Sequence, residues 1–202
     1  MKKIDFENKI ITPSKIVCVG RNYVEHIKEL NNEIPKNMVL FNKPNSAISD
    51  EFYFFENTRF EGEICFLIEN NKITGIGFGF DLTKVDIQNY LKSKGLPWER
   101  AKGFNKSAVF SKFVRLKGDI STIEMKLYKN STFIQNATYE LMIYKPQQII
   151  NEILSFMELE DGDIIMSGTP KGVGFYDIED EFKAQILIEN RIVLETKFKV
   201  KG

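Results

Sequence analysis

Apolar residues in this chain mostly fall in short blocks or alternate with polar ones, and stretches with helical spacing are few. The runs "KIVCVG" (15–20) and "MVLFNKP" (38–44) end at Gly20 and Pro44 and predict buried strands. "EGEICFLIENNKITGIGFGFDLT" (61–83) predicts a hairpin that turns at Asn70-Asn71. In its second arm Gly75, Gly77 and Gly79 alternate with Ile76 and Phe78. One face of that arm is bare, so something must pack close to it. Two further hairpins are predicted over 123–138, turning near Asn130-Ser131, and over 182–200, turning at Asn190. "DIIMSG" adds a strand.

Helical spacing appears three times. "NYVEHIKEL" (22–30) puts Tyr23, Ile27 and Leu30 on one side. "TKVDIQNYLKSKG" (83–95) has Thr83 as N-cap and Gly95 as terminator, and 145–163 carries Pro146 in its first turn. Long hairpins without regular strand–helix alternation predict a β-rich α+β domain, mostly antiparallel, rather than a doubly wound sheet.

Composition narrows the function. The 202 residues favour one domain, and 43% hydrophobic with 12% aromatic content is enough for a sizeable core. Lys plus Arg and Asp plus Glu are equal at 28 each. That balance argues against nucleic-acid or membrane-surface binding, which calls for a basic excess. Cys18 and Cys65 sit in apolar surroundings and read as reduced thiols of a cytoplasmic protein. The N-terminal "MKKIDFENKI" lacks the apolar stretch of a signal peptide, and no run approaches the length of a membrane span.

Four local patterns could carry chemistry. Glu61 and Glu63 stand at i and i+2 of a strand and share one face at the edge of an apolar run. Asp81 ends the other arm of the same hairpin and falls near them. An all-oxygen triad suits a hard divalent ion, Mg²⁺ more readily than Zn²⁺, with Mn²⁺ or Ca²⁺ also compatible; a solvated strand edge explains the two glutamates equally simply. The only histidine, His26, precedes Glu29 by three residues on a predicted helix, which lets them pair as a base and its orienting carboxylate, or sit exposed on a surface helix. The loop "SGTPKGVG" (167–174), with Gly168 and Thr169, fits neither common nucleotide-binding spacing. It is a tight turn or an N–H cradle for a carboxylate or oxyanion. "GLPWERAKGF" (95–104) carries the only tryptophan, and Lys102.

Taken in order, "VGRNYVEHIKEL", "LFNKP", E-x-E, D-x-T-x-x-D-x-Q, "KGLPWERAKGF" and "LEDGDIIMSGTPKGVG" resemble the fumarylacetoacetate hydrolase family, in particular its single-domain acylpyruvase and oxaloacetate-processing branch. The resemblance covers about residues 15–202. It implies a mixed β-roll with peripheral helices, commonly dimeric, holding one divalent metal on Glu61, Glu63 and Asp81. It also implies a water-activating His26–Glu29 pair on a lid over about 21–37, with Arg21 and Asn22 at the hinge. Lys102 would face a substrate oxyanion, Gln88 would support the metal shell, and Thr169 would bind a substrate carboxylate.

The favoured expectation is metal-dependent hydrolysis of acylpyruvates, a C–C cleavage through an enolate. Decarboxylation or tautomerisation of oxaloacetate uses the same enolate. Isomerisation of unsaturated hydroxy-diacids is a further alternative, and an inactive binding protein a remote one. One departure stands out: Val85 occupies the position where the resemblance implies an arginine for a substrate carboxylate. Without it, compact diacids such as oxaloacetate should be handled weakly unless Arg21 or Lys84 substitutes.

Overall fold

A computed structural model describes residues 1–29 and 37–202. Its centre is an eight-stranded mixed sheet. The spatial order is Val39–Pro44, Lys15–Gly20, Ile164–Met166, Gly62–Glu69, Lys72–Asp81, Ala108–Phe110 and Ile48–Ser49, with Val114–Arg115 also on Lys72–Asp81. Most pairs are antiparallel. Lys15–Gly20 runs parallel to Ile164–Met166, and Ala108–Phe110 to Ile48–Ser49. A four-stranded antiparallel sheet, built from Glu124–Lys129, Thr132–Thr138, Glu181–Ile188 and Arg191–Lys199, packs on one face. The predicted hairpins turn where expected. Asn70, Asn71, Asn130, Ser131 and Asn190 all have positive φ, the conformation that tight two-residue hairpin turns require.

Both faces of the central sheet are covered. Phe66, Phe78 and Phe80 meet Met125, Leu127 and Phe182 of the second sheet, whereas Ile16, Cys18, Cys65 and Leu67 meet Phe110 and Phe113 on the other side. That is why Gly62–Glu69 reads as a nearly continuous buried run instead of an alternating one. The bare glycine face is filled by aromatic rings. A Cβ on Gly75 would come within 2.9 Å of Phe6, one on Gly77 within 2.9 Å of Phe113, and one on Gly79 within 2.8 Å of Phe110.

A small third sheet positions the site. Thr58–Phe60 pairs with Thr83–Lys84 on one side and Gly174–Phe175 on the other. Here one sequence expectation is corrected. The helix spans Val85–Ser93 with Lys84, not Thr83, at its N-cap, and no side chain caps it. Thr83 is in a strand, and its hydroxyl is taken by Lys102 Nζ at 2.6 Å. Gly95 does follow the helix, at φ +63. The last predicted helix is shorter than expected, Pro146–Leu154. Among the described residues no helix is long and apolar enough to cross a membrane.

Candidate active site

Glu63 faces Gly79 across the central hairpin, and Asp81 N donates to Glu61 O at 2.9 Å. This register places all three carboxylates at one end of the sheet. Glu61, Glu63 and Asp81 are buried, and one oxygen from each lies within 4.8 Å of the others. Metal–oxygen bonds of about 2.0–2.6 Å let such oxygens share one ion.

The surrounding charges are uneven. Arg59 holds Glu61 Oε1 through Nε at 3.1 Å and Nη2 at 2.7 Å. Lys102 Nζ donates to Glu61 Oε2 at 2.9 Å, Asp81 Oδ2 at 2.6 Å and Thr83 Oγ1. Lys43 Nζ sits 2.8 Å from Asp81 Oδ1 but spends its N–H bonds on the carbonyls of Lys102 and Ser107 and the Ser107 hydroxyl. The angle to Asp81 falls outside hydrogen-bond geometry, so buried Oδ1 has no hydrogen-bond partner among the described residues. Glu63 receives one neutral donor, Gly168 N at 2.8 Å.

Protonation follows these neighbours. Burial raises the Glu63 carboxyl well above the usual range, and Asp81 and Glu61 push it further. Burial also raises Glu61, but Lys102 and Arg59 outweigh it and hold Glu61 well below that range. Lys102 loses to burial and gains more from Asp81 and Glu61, ending above its ordinary value. An orphaned carboxylate oxygen and a buried glutamate without a cation are what an absent hard cation would leave behind, so the residues present fit one divalent ion.

His26 and Glu29 lie on the short helix Val24–Glu29, with His26 Nδ1 3.2 Å from Glu29 Oε2. The glutamate is also held by Gly172 N, at 3.0 Å from Oε1. Glu29 thus fixes a proton on Nδ1 and leaves Nε2 as the basic nitrogen. Burial lowers the His26 pKa below its ordinary 6.5; Glu61 and Glu29 oppose this in part. A cavity of about 40 Å³ is lined by His26, Glu61, Asp81, Gln88, Lys102 and Thr169, together with Arg21, Arg59 and Lys92. The remainder of the expected lid, residues 30–36, lies outside the described residues.

The family model for the C-terminal region of fumarylacetoacetate (FAA) hydrolase matches residues 15–199. The chain belongs to the fumarylacetoacetate hydrolase family. Its relatives include the mitochondrial oxaloacetate tautomerase FAHD1 of Bos taurus, 35% identical over 204 residues, 92% of this chain and 90% of that protein. The oxaloacetate tautomerase YcgM of Escherichia coli K12 is 35% identical over 188 residues, 83% of this chain and 86% of that protein. Among solved structures, a candidate fumarylacetoacetate isomerase/hydrolase from Oleispira antarctica superposes with a TM-score of 0.93 at 34% identity, covering 99% of this chain and 100% of that one. A fumarylpyruvate hydrolase from Pseudomonas aeruginosa, described with Mn²⁺ and pyruvate, shares the fold with a TM-score of 0.88 at 22% identity, covering 99% and 95%. The fold expected from the resemblance is the one found. The hydrolytic expectation receives less support, because the relatives at 35% identity carry the name of the alternative activity.

Several residues of this fumarylacetoacetate hydrolase-family site are placed otherwise than the sequence suggests. Asn22 is buried away from the cavity. Its amide donates to Tyr144 O and Ser167 O, and its oxygen accepts from Tyr144 N. That saturation ties the start of the helix to neighbouring loops and leaves little to offer a substrate. Lys102 donates to Glu61, Asp81 and Thr83, three protein oxygens. The glycine-rich loop does cradle carboxylates, but those of Glu63 and Glu29. Gln88 lines the cavity with no hydrogen-bond partner among the described residues.

Three residues escaped the sequence reading. Lys43 sits inside the quoted "LFNKP", and its complete burial is the missed signal. Gln135 accepts from Gly62 N at 3.1 Å and donates to Thr169 Oγ1 at 2.9 Å, bracing the strand that carries Glu63 against the loop. Arg59 precedes the E-x-E pair by two positions, on the same face.

Proposed function

We propose that the chain interconverts the keto and enol forms of oxaloacetate with the help of one divalent ion on Glu61, Glu63 and Asp81. The charge balance of the site carries this reading. Glu61 and Asp81 are contacted by three cations, Lys43, Arg59 and Lys102, and Glu63 by none. Among these six groups a divalent ion leaves a surplus of two positive charges in a buried place, where charge imbalance is costly, and Arg21 and Lys92 line the same cavity. Oxaloacetate, a dianion, cancels that surplus. The names and coverage of the tautomerase relatives support the same substrate.

Bound there, the ion supplies Lewis acidity to a keto oxygen and the adjacent carboxylate. The chain's residues supply the proton movement. His26 Nε2 takes a proton from the carbon between the keto group and the distal carboxylate. The C–H electron pair becomes the C=C bond of the enol, the C=O π pair moves onto the keto oxygen, and the imidazolium gives its proton back to that oxygen, so that keto and enol differ only in where one hydrogen sits. Glu29 steadies the imidazolium through Nδ1. The Thr169 hydroxyl, oriented by Gln135, serves the near carboxylate.

Acylpyruvate hydrolysis is the second reading. It is favoured by the same His26–Glu29 hydrogen bond, since a base that takes a proton from carbon also takes one from water. The deciding experiment follows the enol absorbance of oxaloacetate and pyruvate release from acetylpyruvate, with Mg²⁺ and with chelator. Metal-dependent enol decay without pyruvate release supports the tautomerase. Pyruvate release from acetylpyruvate with no effect on oxaloacetate supports the hydrolase.

A further inference from the structure

The cavity contains more positive charge than its carboxylates use. Lys102 is saturated by three oxygens, and Lys92 lies over the Trp98 ring at 5.3 Å. Arg59 differs from both. Its guanidinium spends Nε and one Nη2 hydrogen on Glu61 Oε1 and has no other partner among the described residues. Arginine carries five N–H donors in a planar fork, so three remain for a ligand. The side chain is only 11% exposed and lines the cavity beside a candidate metal ligand.

The start of the neighbouring helix offers no cation. Val85, the first residue of the helix Val85–Ser93, has no donor in its side chain, and Lys84 is turned away with its ammonium 4.7 Å from the Phe104 ring centre. Backbone pairing relates these positions. Arg59 stands opposite Thr83 and Thr58 opposite Lys84, and the ladder continues as Val85 N donates to Asn57 O at 3.0 Å. Residue 85 therefore follows directly on the strand pair that seats Arg59, where the chain turns into the helix. The face that Thr83 and Arg59 share is the cavity face, since both reach site residues from it.

From this we infer that Arg59 binds the distal carboxylate of a four-carbon keto-dicarboxylate and sets the preference for diacids over monoacids, in place of a cation at position 85. This rests on the proposed oxaloacetate reading. Arg59 keeps its contact with Glu61 and turns its unused N–H edge to the carboxylate one methylene beyond the metal-facing carbons.

The test measures binding without turnover. Mg²⁺-loaded protein is titrated by calorimetry with L-malate, which retains the distal carboxylate, and with L-lactate, which lacks it. Arg59→Gln should weaken malate by roughly 10–150-fold, the worth of a charge-assisted hydrogen bond, and lactate by less than about threefold. Val85→Arg in that background should restore malate binding by about tenfold or more, because a long side chain at the helix start sets out beside the strand pair that seats Arg59. Val85→Arg alone should add no such gain. Equal losses for both acids in Arg59→Gln would make Arg59 only a partner of Glu61 and overturn the inference. A selective gain of malate binding in Val85→Arg alone would also overturn it, since the native site would then lack the cation; this variant leaves the Arg59–Glu61 pair intact and is informative even if Arg59→Gln fails to fold. If malate selectivity behaves as expected but the native protein leaves oxaloacetate unchanged, the carboxylate site stands and the tautomerase reading fails.

Discussion

Lys102 Nζ donates to Asp81 Oδ2 across 2.6 Å, so the ammonium group stands where it neutralises two of the three carboxylates that a divalent ion would use. The lysine is an internal counter-ion for the metal-free site. Lys102→Gln should lower metal-free stability by about 3–5 kcal/mol, the usual cost of leaving a buried charge unpaired. It should also enlarge the rise in melting temperature on adding Mg²⁺, because the one ammonium that bridges Glu61 and Asp81 no longer competes for their oxygens. A smaller Mg²⁺-dependent rise than in the native protein would contradict the counter-ion role.

The imidazole should matter for chemistry and not for the ion. His26→Ala should retain Mg²⁺ binding by calorimetry and lose roughly 10²–10⁴-fold in turnover, the range for a positioned base. Unchanged turnover would exclude His26 as the base.

The pH dependence follows from the same residue. Burial lowers the His26 pKa, so its basic form persists below pH 6.5 and turnover should fall only as pH drops through that lowered value. Glu29 raises it. Glu29→Gln should therefore move the acid limb to still lower pH while reducing the maximal rate. A limb shifted upward in a pH–rate profile would reverse the assigned interaction.

Asp163 predicts an acid-stability effect far from the cavity. Its Oδ1 accepts from Ser14 N, Ser14 Oγ and Lys15 N, and its Oδ2 accepts from Lys15 Nζ at 2.5 Å and Glu160 N. Burial raises its pKa, but the bonds from Lys15, Ser14 and Glu160 lower it more. The folded value lies below the unfolded value of about 3.9, so the folded state binds fewer protons and stability rises with pH. The contribution is complete above that value and disappears as pH falls through the folded one. Asp163→Asn should cost about 3–5 kcal/mol at neutral pH and flatten the acid end of a stability–pH curve measured in urea.

Packing against the glycine strand gives a prediction independent of chemistry. An added Cβ at Gly77 would come within 2.9 Å of two atoms of the fully buried Phe113 ring. Gly77→Ala should destabilise by about 1–3 kcal/mol, as overpacked cores do. A lower urea midpoint at an unchanged slope would be the signature.

The sequence by itself determined the hairpins, because asparagines at tight turns and alternating glycines are local signals that hold wherever the strand lies. It also determined that Glu61, Glu63 and Asp81 come together on one face. Side chains at i and i+2 share a face, and a hairpin of fixed turn brings Asp81 opposite Glu61. The His26–Glu29 pair was legible for the same reason, a spacing of three on one helix. Tertiary structure alone decided the charge balance. Lys43 and Lys102 reach the carboxylates from positions 38 and 21 residues away from Asp81 in sequence, and Gln135 reaches Gly62 across 73. The predicted cap at Thr83 gave way to Lys102 because a buried ammonium needs its third acceptor more than an exposed helix end needs a hydroxyl. Periodicity records how a segment repeats along its own axis. Which distant cation meets which carboxylate depends on how sheets stack, and no local pattern carries that information.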